Sequence, residues 1–163
     1  MKQAAKTEYL RSALFGFNDA LVSTTGVIVG VSTGTNNKDV VILAGVVTIL
    51  VEALSMGTGQ YLSSKSAQQY AKDENLNRSI ISGAIMFGAY FLAGLVPLLP
   101  IILFPIEYSR EVTIAAALIG LFILGYFKGK IVKTSPFKSA LEIFIIGGLA
   151  TAIGILAGNY FSV

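Results

Sequence analysis

The chain has no cysteine, no histidine and no tryptophan, and charged residues make up only 13% of its 163 positions. Without cysteine there are no disulfides and no thiolate metal sites. Without histidine there is no imidazole ligand and no imidazole base. A bound metal ion must therefore use carboxylate, amide, hydroxyl, carbonyl or methionine sulfur. The many serines have no partnered base, no P-loop is present, and nothing points to an enzyme or a resident cofactor. So little charge also leaves too little polar surface for a water-soluble domain of this size.

What is abundant is apolar. Hydrophobic residues make up 54% of the chain and mean hydropathy is +0.73. The expected class is an all-α integral membrane protein, a single domain over residues 1–163. Five apolar runs reach spanning length: Ser12–Thr35, Val40–Ser64, Ile80–Phe104, Val112–Phe127 and Ala140–Phe161. The first is too long for the core of a secretory signal, and no cleavage site closes it, so no signal peptide is expected. Pro97, Pro100 and Pro105 are expected to kink or stop the third span. The longest connection, Lys65–Arg78, holds AQQYAKDENLN and is expected to continue the second span as a polar helix.

The net charge of +3 needs no nucleic acid to explain it; the basic residues sit where membrane topology puts them. Lys2, Lys6, Arg11, Lys65, Lys72, Arg78, Lys128, Lys130, Lys133 and Lys138 fall on one side of the five spans, and Lys38 and Arg110 on the other. That asymmetry places the N-terminus in the cytoplasm and, after five crossings, the C-terminus outside.

Acids inside the apolar runs are the candidates for function. Asp19 lies eight residues past Arg11, a depth of about 12 Å at helical rise, beyond easy reach of water for so short a side chain. A capping or snorkelling acid is the bland alternative. An acid at that depth otherwise faces protein or a water-filled path. Asn18 precedes it, and Ser23, Gly26 and Gly30 share its helical face. Gly26, Gly30 and Gly34 form a stripe for close helix approach, as do Ser55, Gly59 and Ser63 in span two and Ala150, Gly154 and Gly158 in span five. Packing within one chain and dimerisation both use such stripes.

Met56 lies nine residues before Lys65, about 13 Å from the same surface. It therefore matches Asp19 in depth on the neighbouring antiparallel span. A carboxylate with a thioether suits a borderline-soft divalent ion such as Fe²⁺ better than Mg²⁺ or Ca²⁺. As a lone residue, Met56 would read as core filler. Glu52, one turn deeper, is either a hydrogen-bonded buried acid or a proton carrier and second metal ligand. Gln60 and Tyr61 could add amide or hydroxyl contacts. Glu142 reads as interfacial, and Glu107 and Glu111 as solvated charge around Arg110. Asp73 and Glu74 read as a solvated helix face that could attract cations at the cytoplasmic mouth.

Four stretches together resemble the vacuolar iron transporter family: FGFNDALVSTTGVIVGV (15–31), EALSMGTGQYLSSKS (52–66), FGAYFLAGLVPLLP (87–100) and LEIFIIGGLATAIGILAG (141–158). The match runs in order over nearly the whole chain. The resemblance implies a five-span homodimer that moves Fe²⁺, and often Mn²⁺, out of the cytoplasm in exchange for protons. It puts the acid of the first motif on Asp19 and the methionine of the second on Met56, lining a path at the dimer interface. The first spans of two protomers would then pack together. Host membranes would be the cell membrane in a prokaryote or a vacuolar-type membrane in a eukaryote.

The sequence departs from the family pattern in places. The short stretch 65–78 stands where the best-studied members insert a Glu-rich cytoplasmic metal-binding domain. Gln60 stands where glutamate is usual, Ala20 where glycine is usual, and Glu52 where a small residue is common. Glu52 could supply the replacement carboxylate. The metal set expected from sequence is thus Asp19, Met56 and Glu52, with Asp19 and Glu52 coupling to protons and Asn18, Ser23 and Gln60 in support. Two other readings stay open: a non-transporting membrane scaffold whose acids pin helix contacts, and a passive divalent-cation channel.

Overall fold

The computed structural model describes residues 2–72 and 76–162. Among these are five α-helices and no strand: α1 (Lys2–Gly34), α2 (Lys38–Tyr70), α3 (Leu76–Leu103), α4 (Ile106–Ile131) and α5 (Pro136–Tyr160). All five are long and apolar enough to cross a membrane. Asp73 and Glu74, expected near the cytoplasmic mouth, lie outside the described residues.

The helices overrun the apolar runs. α1 already begins at Lys2, α2 continues through the polar stretch to Tyr70, and α4 extends well beyond 112–127 at both ends. Helical backbone satisfies its own N–H and C=O groups, so nothing ends a helix merely because it leaves hydrocarbon. Explicit caps do. Asn37 Oδ1 accepts from the backbone N–H groups of Asp39 (3.0 Å) and Val40 (3.3 Å), starting α2. At the end of α4, Lys133 turns left-handed (φ 59°), and Thr134 N–H reaches back to Gly129 O at 2.9 Å.

Pro97 and Pro100 do not stop the third span, contrary to the sequence expectation. Both lie inside α3, which runs on to Leu103. Both are buried among neighbouring helices, and Thr113 Oγ1 of α4 donates to Pro97 O at 3.1 Å. Each proline leaves the carbonyl one turn earlier without its helical donor, a loss that a helix packed inside a bundle tolerates. The break comes at Phe104–Pro105 instead. There Lys38 Nζ donates to Ile102 O (3.1 Å) and Phe104 O (3.0 Å). A cation at a helix C-terminus satisfies free carbonyls and complements the dipole.

α1 is the central helix and packs on all four others, with α2–α3 and α4–α5 as flanking pairs. Its glycine stripe is filled by α5 of the same protomer. A Cβ on Gly30 would lie 3.0 Å from Gly154 O, and one on Gly154 would lie 2.5 Å from Gly26 O. Gly158 meets Gly30 and Thr33 in the same way. The stripe therefore packs α1 against α5 within one chain. Gly154→Val is expected to destabilise the fold by about 1–3 kcal/mol through overpacking. Gly148, where a Cβ meets nothing within 4 Å, should accept alanine within about 0.5 kcal/mol. Thermal unfolding in detergent compares the two; equal midpoints would contradict this packing.

The stripe on α2 behaves oppositely. Ser55, Gly59 and Ser63 are exposed, and a Cβ on Gly59 would touch nothing. Around them Val47, Leu50, Val51, Leu54 and Leu62 are exposed too. Two apolar clusters fill the interior. Ala20, Leu21, Ala53, Tyr90, Ala93, Leu121 and Ile143 form one. Ile28, Val41, Ile49, Leu98 and Ile101 form the other, toward the α1–α2 connection.

Candidate metal site

Asp19 is half-buried on α1, and Glu52 is exposed on α2. Glu52 is the charged group that acts on Asp19. The residues that follow them, Ala20 and Ala53, are buried in the same cluster, and Met56 packs against that cluster. Asp19, Glu52 and Met56 thus gather where α1 meets α2. The ion pairs described are Glu8–Arg78 (2.9 Å), Glu111–Arg110 (3.4 Å) and Glu142–Lys128 (3.7 Å). Neither Asp19 nor Glu52 belongs to one. Glu52 stands on the open face of α2 among leucines and valines. An acidic side chain facing lipid at mid-span costs about 3 kcal/mol.

The other expected residues divide. Ser23, one turn past Asp19 on α1, hydrogen-bonds the phenol oxygen of Tyr90 at 2.7 Å. Asn18 points elsewhere: it lines a cavity of about 430 Å³ between α1, α4 and α5, with Arg11, Lys128 and Glu142. Successive helical residues diverge by about 100°, which separates it from Asp19. Gln60 lines a different cavity, of about 480 Å³, near the start of α1, the end of α2 and the start of α3. Glu8, Ser63, Ser64 and Arg78 share that cavity. There Glu8 pairs with Arg78 and accepts a hydrogen bond from Ser64, which in turn accepts one from Gln68 at 3.3 Å.

Among the described residues, no group of three or more acidic side chains is positioned to hold a metal ion. Near the α1–α2 contact the chain carries two carboxyls and a thioether, and one of the carboxyls is exposed.

Tyr90 is the residue that sequence reasoning passed over. It is fully buried on α3, and both Asp19 and Glu52 act on it electrostatically. Thr24 Oγ1 is buried beside the same phenol without meeting hydrogen-bond geometry. A depth count could have found Tyr90. It lies twelve residues past Arg78 (90 − 78), as Ser23 lies twelve past Arg11 (23 − 11), on parallel helices.

The chain matches the VIT family over residues 10–79 and 69–159. It is 25% identical over 207 aligned positions to vacuolar iron transporter 1 of Eucalyptus grandis, covering 89% of this chain and 83% of that protein. It is 29% identical over 162 positions to vacuolar iron transporter homolog 3 of Arabidopsis thaliana, covering 91% and 80%. Vacuolar iron transporter 1 of Tulipa gesneriana is 23% identical over 93% of this chain and 86% of its own. The two family segments meet where α2 gives way to α3. Five membrane-length helices and a family match along almost the whole chain lead to one conclusion: this multi-pass membrane protein belongs to the VIT family.

Proposed function

We propose that the protein is a homodimeric secondary transporter that moves Fe²⁺, and Mn²⁺ as a second substrate, out of the cytoplasm in exchange for protons. The single observation that carries this is the unpaired acid couple, Asp19 with Glu52, set within apolar helices. Family membership supports iron as the ion, since relatives bear the name vacuolar iron transporter. Met56 adds a soft donor that favours Fe²⁺ over Mg²⁺.

The dimer follows from Glu52. A charge facing lipid is unfavourable, and the same α2 face carries an open small-residue stripe, Ser55–Gly59–Ser63. A second copy laid on that face would cover Glu52, close the stripe and bring two further carboxyls to the site. The bias of basic residues puts the α2–α3 and α4–α5 connections in the cytoplasm. The cavity lined by Glu8, Gln60 and Ser63 then opens from the cytoplasm toward Met56, one turn beyond Gln60. On the opposite side, the Ile28, Ile49, Leu98 and Ile101 cluster closes the protomer. With only the short 71–75 connection between α2 and α3, metal would reach Met56 and Asp19 without a separate capture domain.

Exchange follows from the ligands. A carboxylate must lose its proton to bind a metal ion, so protons and metal compete for Asp19 and Glu52. Apparent affinity for Fe²⁺ and Mn²⁺ is therefore expected to fall as pH falls, with protons displacing ions at the outer side. Proteoliposomes carrying an internal pH dye test this directly. Fe²⁺ or Mn²⁺ should drive counter-movement of protons, and an imposed proton gradient should drive metal accumulation. Metal flux without accumulation would indicate a passive channel. No flux, and no metal-dependent stabilisation of the purified protein, would indicate a scaffold.

A further inference from the structure

We propose that Tyr90, through its hydrogen bond to Ser23, is a positioning residue for the metal-binding carboxyls Asp19 and Glu52. This rests on the metal-site reading above and names a part of it that lies on α3.

Three observations converge on Tyr90. First, its phenol is completely buried, and its oxygen is bonded to Ser23 at 2.7 Å. A buried hydroxyl needs a partner, and this one finds it one turn from Asp19. Second, Tyr90 packs in the same cluster as Ala20 and Ala53, the residues next to Asp19 and Glu52. It lies in the interior beside the turns that carry the two acids. Third, depth agrees. Ser23 and Tyr90 lie twelve residues from Arg11 and Arg78, and Glu52 lies thirteen before Lys65 (65 − 52). All three are about 18–20 Å from the same end of the bundle. Aromatic side chains on helices lean toward the helix N-terminus, which carries the phenol oxygen down toward Asp19. Both carboxyls act electrostatically on that phenol.

The chemistry is that of an outer hydrogen-bonding partner. A phenol and a serine hydroxyl can each donate one hydrogen bond and accept others. With one donor used between them, the pair retains an O–H for a carboxylate. Groups that hydrogen-bond metal ligands fix ligand orientation, and removing them costs about 10–100-fold in metal affinity. Neither hydroxyl need touch the ion. The rest of that interior cluster is apolar, apart from the buried Thr24 hydroxyl beside the same phenol.

The test uses full-length protein with Mn²⁺ as the probe, comparing wild type, Tyr90→Phe, Ser23→Ala and the double variant. Two quantities are read: the KM for Mn²⁺ in proteoliposomes, and the unfolding midpoint in detergent with and without Mn²⁺. Tyr90→Phe is expected to raise KM about 10–100-fold, with the metal-free midpoint little changed. Ser23→Ala removes the same hydrogen bond from its other end, likewise deleting one hydroxyl, and should shift KM in the same direction. The double variant should be no worse than the weaker-binding single one, because both remove one contact. An unchanged KM in both single variants overturns the proposal. So does a lowered metal-free midpoint with KM intact, the signature of a purely structural hydrogen bond. Wild-type protein that neither binds nor carries Mn²⁺ overturns the metal-site reading itself, and Tyr90's role with it.

Discussion

Asp19→Asn is expected to abolish metal-driven proton movement in proteoliposomes, a loss of at least about 100-fold, the upper end of what a merely supporting contact costs. Asparagine keeps the shape of the side chain and offers an amide oxygen. It cannot carry the negative charge that holds a divalent ion, and it cannot take up a proton. Asp19 has no basic partner among the described ion pairs, so its neutralisation leaves no orphaned cation behind. The variant should therefore fold and dimerise like wild type. Its unfolding midpoint should not respond to Fe²⁺ or Mn²⁺, whereas that of wild type should rise. Retained metal-dependent stabilisation in Asp19→Asn would remove this residue from the site.

Glu52→Gln is the second large effect. Loss of coupled flux is again expected. Glu52 stands on the exposed face of α2, and a neutral amide is less costly in lipid than a carboxylate. The monomer's fold should therefore be no less stable, and the dimer should persist through the small-residue stripe, which size-exclusion chromatography with light scattering reads directly. Undiminished proton flux in Glu52→Gln would exclude it from the mechanism. Dissociation into monomers would instead make Glu52 a residue that pins the two copies together, as the scaffold reading holds.

The spans were legible in the sequence because hydrocarbon thickness demands a run of fixed length, and five such runs are present. The depth match of Asp19 and Met56 was legible for the same reason: rise per residue converts position into height. What the sequence could not reveal was which side of each helix meets which neighbour. Gly26–Gly30–Gly34 and Ser55–Gly59–Ser63 are equivalent patterns of small residues. The first packs against α5 and the second is left open, because α1 contacts all four other helices while α2 packs mainly on α3 and α1. Asp19, Ser23 and Gly26 share one face of α1, yet that face meets α2, α3 and α5 in turn. Pro97 and Pro100 read as helix ends by local rules, and burial in the bundle overrode those rules. Tyr90 was hidden because its partner is 67 residues away, in a motif otherwise read only for its prolines. Asn18 and Gln60 adjoin the key positions in sequence but line two separate cavities.

Glu8 also went unnoticed, eleven residues before Asp19 and short of the first apolar run. The structure ties it to Arg78 and Ser64, locking the near ends of α1, α2 and α3 together. That lock borders the cavity through which metal is proposed to enter.

Anomalous diffraction from crystals of the dimer soaked in Mn²⁺ reaches the core of this interpretation most directly. The expected result is a Mn²⁺ peak between Asp19 and Glu52 beside Met56, at the contact between two copies. A protein whose only Mn²⁺ peak lies elsewhere, for instance at Glu8, or whose Asp19 carboxyl points away from every bound ion, would contradict it.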